Sequence, residues 1–205
     1  MEKPMKKLLL TSILTTSLAL TACVNPITET RKTLTMSQDQ YQAQIRVETD
    51  DFENSVKYVG YPLEYIKAQY DPEGVMLPSN ASPLTLGDKV TYALRSFKHK
   101  TKALQDHQLY ATIMYADDWR FYNRASDQDA RTLKFDSISR DTFDCSEYGC
   151  NHIEDVAITL PKGYLSSKQK KGFKVKIAGK RGKPMIIAVP PAYIKAQLAV
   201  FNSQH

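Results

Sequence analysis

Apolar and polar residues alternate with a period of two through most of the chain, and helical spacing dominates only near the C-terminus. Tyr41, Ala43, Ile45 and Val47 alternate with Gln42, Gln44, Arg46 and Glu48, the pattern of a half-buried strand, and residues 55–61 (SVKYVGY) give a second candidate. Residues 62–88, broken by Pro72, Pro78 and Pro83, read as a long and partly irregular connection. Residues 89–97 and 108–115 predict a long hairpin, with His99 and His107 in its polar turn. Asp117-Asp118 marks a turn into a strand at 119–122 (WRFY), and 133–138 and 152–160 continue an antiparallel meander. Phe173, Val175 and Ile177 alternate with Lys174 and Lys176, and the apolar run 184–189 follows the turn Gly179-Lys180-Arg181-Gly182, which predicts a closing hairpin. After Pro190-Pro191, Ile194, Leu198 and Phe201 fall at i, i+4 and i+7, predicting a short helix whose stripe packs on the sheet. The expected fold is mainly β: one domain over 38–205, an antiparallel sandwich or curved sheet with a short C-terminal helix.

The N-terminus follows a different pattern. Lys3, Lys6 and Lys7 precede an apolar stretch over 8–20, diluted by hydroxyl residues and ending in Thr21-Ala22, the layout of a secretory signal peptide over 1–22. The stretch is too short to be a permanent span, which needs about 20 apolar residues, and no later segment approaches that length. Leu20-Thr21-Ala22-Cys23 resembles the lipobox of bacterial lipoproteins. That resemblance implies a diacylglycerol thioether on Cys23, cleavage before it and acylation of the new amino group. Two or three acyl chains anchor a protein practically permanently. Val24 in place of Asp implies, by the same resemblance, an outer-membrane address facing the periplasm. Residues 24–37 (VNPITETRKTLTMS) have no apolar periodicity and read as a tether spanning roughly 20 Å.

The chain's 205 residues are 42% hydrophobic, enough to build a core without a metal or cystine staple. Losing residues 1–22 removes three lysines and one glutamate and lowers the formal charge from +6 to +4. The exception to this mild balance is residues 162–183, with nine Lys or Arg and no acid. Lys174, Lys176, Lys180, Arg181 and Lys183 are the candidate face for an anionic partner. Export puts nucleic acid out of reach, leaving anionic lipid headgroups, lipopolysaccharide, acidic envelope polymers or another envelope protein. The alternative is a solvated outer face that protects a hairpin from edge pairing.

With Cys23 assigned to lipid, Cys145 and Cys150 remain as a pair in an oxidising compartment and are expected to form a disulfide. Ser146-Glu147-Tyr148-Gly149 between them is turn-like, with Gly149 suited to positive φ, so the bond would pin a hairpin tip. A zinc site with His152 lacks a fourth ligand, and redox pairs of the thioredoxin type leave two residues between the thiols rather than four.

The nucleophile-elbow, zinc-protease, P-loop and dinucleotide patterns are all missing, and neither a metal nor a cofactor is expected. His152 and Glu154 share one strand face; they read either as a general acid/base pair or as an exposed cross-strand polar cluster. Asp127 and Asp129 have the spacing of half a calcium loop, without its glycine and closing glutamate, and read as a hairpin turn. Tyr115, Trp119, Phe121 and Tyr122 either line a groove for a glycan or peptide or pack in the core. The order of WRFYNRA, the Cys145/Cys150 hairpin, GFKVKIAGKRG and PPAYIKAQL over about 89–201 resembles a group of small proteobacterial lipoproteins and secreted proteins of unknown function. This implies the fold and the compartment but no catalytic residue. The reading is a non-enzymatic binding or scaffolding module of the cell envelope. The alternative is a small envelope hydrolase or cell-wall modifying enzyme using the His152/Glu154 region.

Overall fold

The structure is a computed structural model that describes residues 35–68, 87–101, 105–116, 118–147 and 149–203. The signal peptide, Cys23 and the tether up to residue 34 lie outside the described residues, as do residues 69–86 of the proline-interrupted connection. Among the described residues no helix is long and apolar enough to cross a membrane.

Ten strands form one antiparallel sheet that does not close: β1 (Arg46–Thr49), β2 (Ser55–Val59), β3 (Leu63–Ala68), β4 (Gly87–His99), β5 (Gln105–Tyr115), β6 (Tyr122–Asp127), β7 (Thr132–Ser146), β8 (Gly149–Leu160), β9 (Phe173–Gly179) and β10 (Met185–Val189). Their order is β1-β2-β4-β5-β8-β7-β6-β9-β10, with β3 beside β2 along the same edge of β4. Three helices complete the fold: α1 (Gln38–Gln42), α2 (Tyr164–Lys168) and α3 (Pro191–Ser203). The mainly β class and the C-terminal helix are therefore as the sequence predicts.

One apolar core joins both ends of the sheet to α3. Alternation on β4, β5, β8, β9 and β10 delivers Val90, Leu94, Leu109, Ile113, Val156, Ile158, Val175, Ile177 and Ile187 inward, all essentially inaccessible. Helix α3 adds Tyr193, Ile194, Ala196, Leu198 and Phe201. Its buried polar side chains bond to the chain beneath: Tyr193 Oη donates to the Tyr61 carbonyl at 2.7 Å and accepts from the Leu94 amide at 3.1 Å, and Gln197 Nε2 donates to the Tyr58 carbonyl and to Ser96 Oγ, both at 3.0 Å, while Gln197 Oε1 is buried without a partner among the described residues.

Three expectations need correction. The alternating run from Tyr41 to Val47 is not a strand throughout. Ser37 and Gln40 form a capping box that starts α1, Tyr41 is buried against Tyr193 with ring centroids 5.0 Å apart, and pairing begins only at Arg46 on a fully exposed β1. The strand order is not a simple meander, because β5 pairs with β8 while β6 lies on the far side of β7, between β7 and β9. Residues 116–121 accordingly form the passage from β5 to β6, and of WRFY only Tyr122 enters a strand. In addition, β3 forms inside the stretch read as irregular.

The β7–β8 hairpin runs well past the core and ends in the Cys145–Cys150 disulfide, with Cα atoms 4.0 Å apart. Gly149 takes φ +126°, the positive value expected of it. Beyond Leu133 the outer edge of β7 has no strand partner, and a register shift between Ser137 and Ser139 together with exposed Lys134, Arg140 and Asp141 blunts that edge.

Candidate functional site

The closing hairpin gathers the basic candidates. Lys174 and Lys176 alternate with buried Phe173, Val175 and Ile177, so both project from the exposed face of β9. Across the pairing register, Lys176 faces Ser126 on β6 and Ile186 on β10, Lys174 faces Ala188, and exposed Arg124 faces Ala178. Lys180, Arg181 and Lys183 are exposed in the β9–β10 turn. None of the five is within ion-pairing distance of a carboxylate among the described residues, whereas Lys168, from the same basic stretch, pairs with Asp129 at 2.7 Å. At the end of this face Lys171 and Lys174 flank a shallow groove of about 320 Å³, lined also by Gln128, Phe173, Ala188 and Pro190-Pro191. Strand β10 is the edge strand at this end of the sheet and carries no charge, while β9 is paired on both sides.

A second constellation sits where residues 118–121, leading into β6, meet the buried face of β5 and β8. Tyr115 on β5, His152 and Glu154 on β8 and Arg140 on β7 project to this side because Tyr115 is registered with His152, and Glu154 with Arg140. Both are buried: Glu154 is inaccessible and His152 is 8% exposed, which overturns the expectation of an exposed cross-strand cluster. The reason is phase, since His152 and Glu154 share the face of Val156, Ile158 and Leu160.

The two do not bond to each other. Glu154 Oε1 accepts from the Tyr115 hydroxyl, and Oε2 accepts from the Tyr122 amide at 3.0 Å and from Arg140 Nε at 2.9 Å. The carboxylate thus locks the passage to the sheet, and both its oxygens are already engaged. Tyr115 Oη in turn accepts from the Arg120 amide at 3.0 Å, and the Arg120 guanidinium lies 4.3 Å above the Tyr115 ring. Arg120 is itself buried in a bidentate pair with Asp88, at 2.7 and 2.8 Å, and donates to the Tyr122 hydroxyl at 3.3 Å. Burial alone disfavours its charge, but the bonds from Asp88 and Tyr122 outweigh that and hold its pKa above the ordinary value. Burial raises the pKa of both Tyr115 and Tyr122, which keeps both hydroxyls neutral, Tyr115 as the donor to Glu154 and Tyr122 as the acceptor from Arg120.

Of the aromatic candidates, Tyr115 and Tyr122 belong to this buried lock, whereas Trp119 and Phe121 are half-buried at its rim. The two rim rings are near-parallel, 26° apart with centroids at 5.9 Å, and His152 packs edge-on to Trp119 at 4.3 Å. The Asp127/Asp129 pair is a turn: Asp127 Oδ1 accepts from the Asp129 and Arg131 amides, and Oδ2 from the Tyr164 hydroxyl. Among the described residues no group of three or more His, Cys, Asp or Glu is placed to hold a metal ion.

Sequence reasoning missed Asp88, Arg120 and Arg140, because partners 32 and 14 residues apart leave no local pattern. It also placed His107 in a polar turn. That residue lies on β5, buried, with Nδ1 2.8 Å from Ser96 Oγ and its ring against Phe201, and desolvation lowers its pKa. No family model matches the chain, and no curated protein or solved structure is significantly similar to it.

Proposed function

We propose that the protein is a lipid-anchored binding or scaffolding module of the cell envelope, held through Cys23 at the periplasmic face of the outer membrane and engaging an anionic envelope component through its closing hairpin. The observation that carries this reading is the placement of Lys174 and Lys176. They stand without carboxylate partners on β9, a strand already paired on both sides, where charge is not needed to block edge pairing. The edge strand beside it, β10, is uncharged. Charge used for protection would sit on β10; charge used for recognition is free to sit where it does.

The tether of roughly 20 Å keeps the domain close to the bilayer surface. Each lysine close to an anionic surface contributes about 1 kcal/mol, an effect that declines as salt shortens a Debye length of about 10 Å at 0.1 M. The test is sedimentation with phosphatidylglycerol-containing vesicles, using protein with Cys23→Ser to remove the anchor. Salt-sensitive binding that drops by an order of magnitude or more on changing Lys174, Lys176, Lys180 and Arg181 to Glu supports the reading. Binding unchanged by those four substitutions removes the basic face from the account.

A further inference from the structure

The segment leading into β6 carries a feature that the anionic-surface reading does not use. Phe121 is held at φ +49°, a conformation that costs a non-glycine residue of its bulk, and the structure around it fixes it there. Its carbonyl accepts from the Lys180 amide at 3.2 Å, the preceding Arg120 carbonyl accepts from Arg181 at 3.2 Å, and the next amide, Tyr122, is bonded to Glu154. Gly179 makes the close approach possible, since a Cβ there would stand 2.1 Å from the Arg120 carbonyl oxygen. The result is a rigid aromatic pair whose position is set before any ligand arrives. Backbone strain of this kind clusters at binding and active sites, and here it holds a half-buried ring beside a second one.

Two cationic side chains lie beside the pair. The Arg140 guanidinium lies 5.5 Å from the Phe121 ring centroid and Lys180 Nζ 5.9 Å from it. Arg140 uses Nε for Glu154 and Nη2 for the Tyr122 carbonyl, which leaves Nη1 to an incoming group. Glu154, the nearest buried carboxylate, has both oxygens occupied and is neutralised by Arg140.

We propose that Trp119 and Phe121 form a platform for an anionic saccharide, the apolar C–H face of a sugar ring lying on the aromatic pair while its carboxylate or phosphate group meets Arg140 and Lys180. Two near-parallel rings offer flat apolar area, which suits a sugar face, and the adjacent cations supply the preference for a charged sugar over a neutral one. This site shares Lys180 with the basic face but uses neither Lys174 nor Lys176, so Phe121→Ala tests this site alone and the Lys174→Glu/Lys176→Glu pair tests the basic face alone.

Trp119 is the only tryptophan in the chain, so its fluorescence reports binding directly. The purified protein is titrated with tetragalacturonate, with a phosphorylated maltotetraose, with neutral maltotetraose and with a tetraglutamate peptide. Saturable quenching by either anionic sugar, with the neutral sugar and the peptide each about tenfold weaker or more, supports the proposal, and the responding sugar tells carboxylate from phosphate. Phe121→Ala weakens that binding by about tenfold and Lys180→Glu by several-fold, while Lys174→Glu with Lys176→Glu leaves it unchanged. Should Phe121→Ala fail to fold, Lys180→Glu decides. Equal response to the neutral sugar or to the peptide, no response to either anionic sugar, or wild-type affinity in a folded Phe121→Ala protein overturns it.

Discussion

Truncating Glu154 to alanine tests the lock that fixes the 116–121 passage. The substitution leaves the Tyr115 hydroxyl and the Tyr122 amide without their acceptor inside the core, at about 1–2 kcal/mol each. Arg140 keeps a side chain 35% exposed and rehydrates, so the lost ion pair itself adds little. The space left by the side chain adds about 1 kcal/mol. The expected loss is therefore about 3–5 kcal/mol, a large share of the roughly 5–15 kcal/mol that holds a domain folded. Glu154→Gln keeps the shape and one acceptor, and is expected to cost less than half as much. Urea unfolding followed by Trp119 fluorescence and far-UV circular dichroism measures both: the midpoint falls in the order wild type, Gln, Ala, with the slope unchanged. A loss under about 1 kcal/mol for Glu154→Ala, or a Gln variant weaker than the Ala variant, would refute the assignment of Glu154 as a structural lock.

Two further outcomes follow from the buried groups and the disulfide. Burial raises the pKa of Tyr41 to about 12 and lifts Tyr92, Tyr115, Tyr164 and Tyr193 well above the ordinary tyrosine value. Between the unfolded and folded pKa values the folded chain holds protons that the unfolded chain releases, so this stabilisation is whole below about pH 10 and declines as pH rises beyond it. Absorbance at 295 nm during alkaline titration should show these tyrosines ionising together with loss of circular dichroism; independent ionisation in a folded protein would contradict the burial. Reducing Cys145–Cys150 opens a very short loop, worth about 2 kcal/mol, and calorimetry should show a fall in Tm of about 4–8 °C.

The sequence carried the sheet in its alternation because strands β4, β5, β8, β9 and β10 each bury one face, and a period of two records that directly. It misled at Tyr41–Val47, where a capping box and the burial of a single tyrosine outcompeted an alternation that no sheet face enforces. The strand order was hidden because antiparallel neighbours can be consecutive or distant, and nothing local distinguishes β5 against β6 from β5 against β8. Burial of Glu154 could have been read: Val156, Ile158 and Leu160 continue its phase inward, and a carboxylate in that phase demands partners. Which partners it takes depends on the register between β7 and β8 and on the passage that brings Tyr122 to it. The basic face was legible because it needs only one strand and one turn.

The account depends most on the fate of the N-terminus. Intact mass spectrometry of protein recovered from cell membranes is the most direct measurement. A lipid-anchored protein gives a chain that begins at Cys23, heavier than the peptide by a diacylglycerol and an acyl group. A chain that still carries residues 1–22, or one with a free thiol at Cys23, would contradict the anchor.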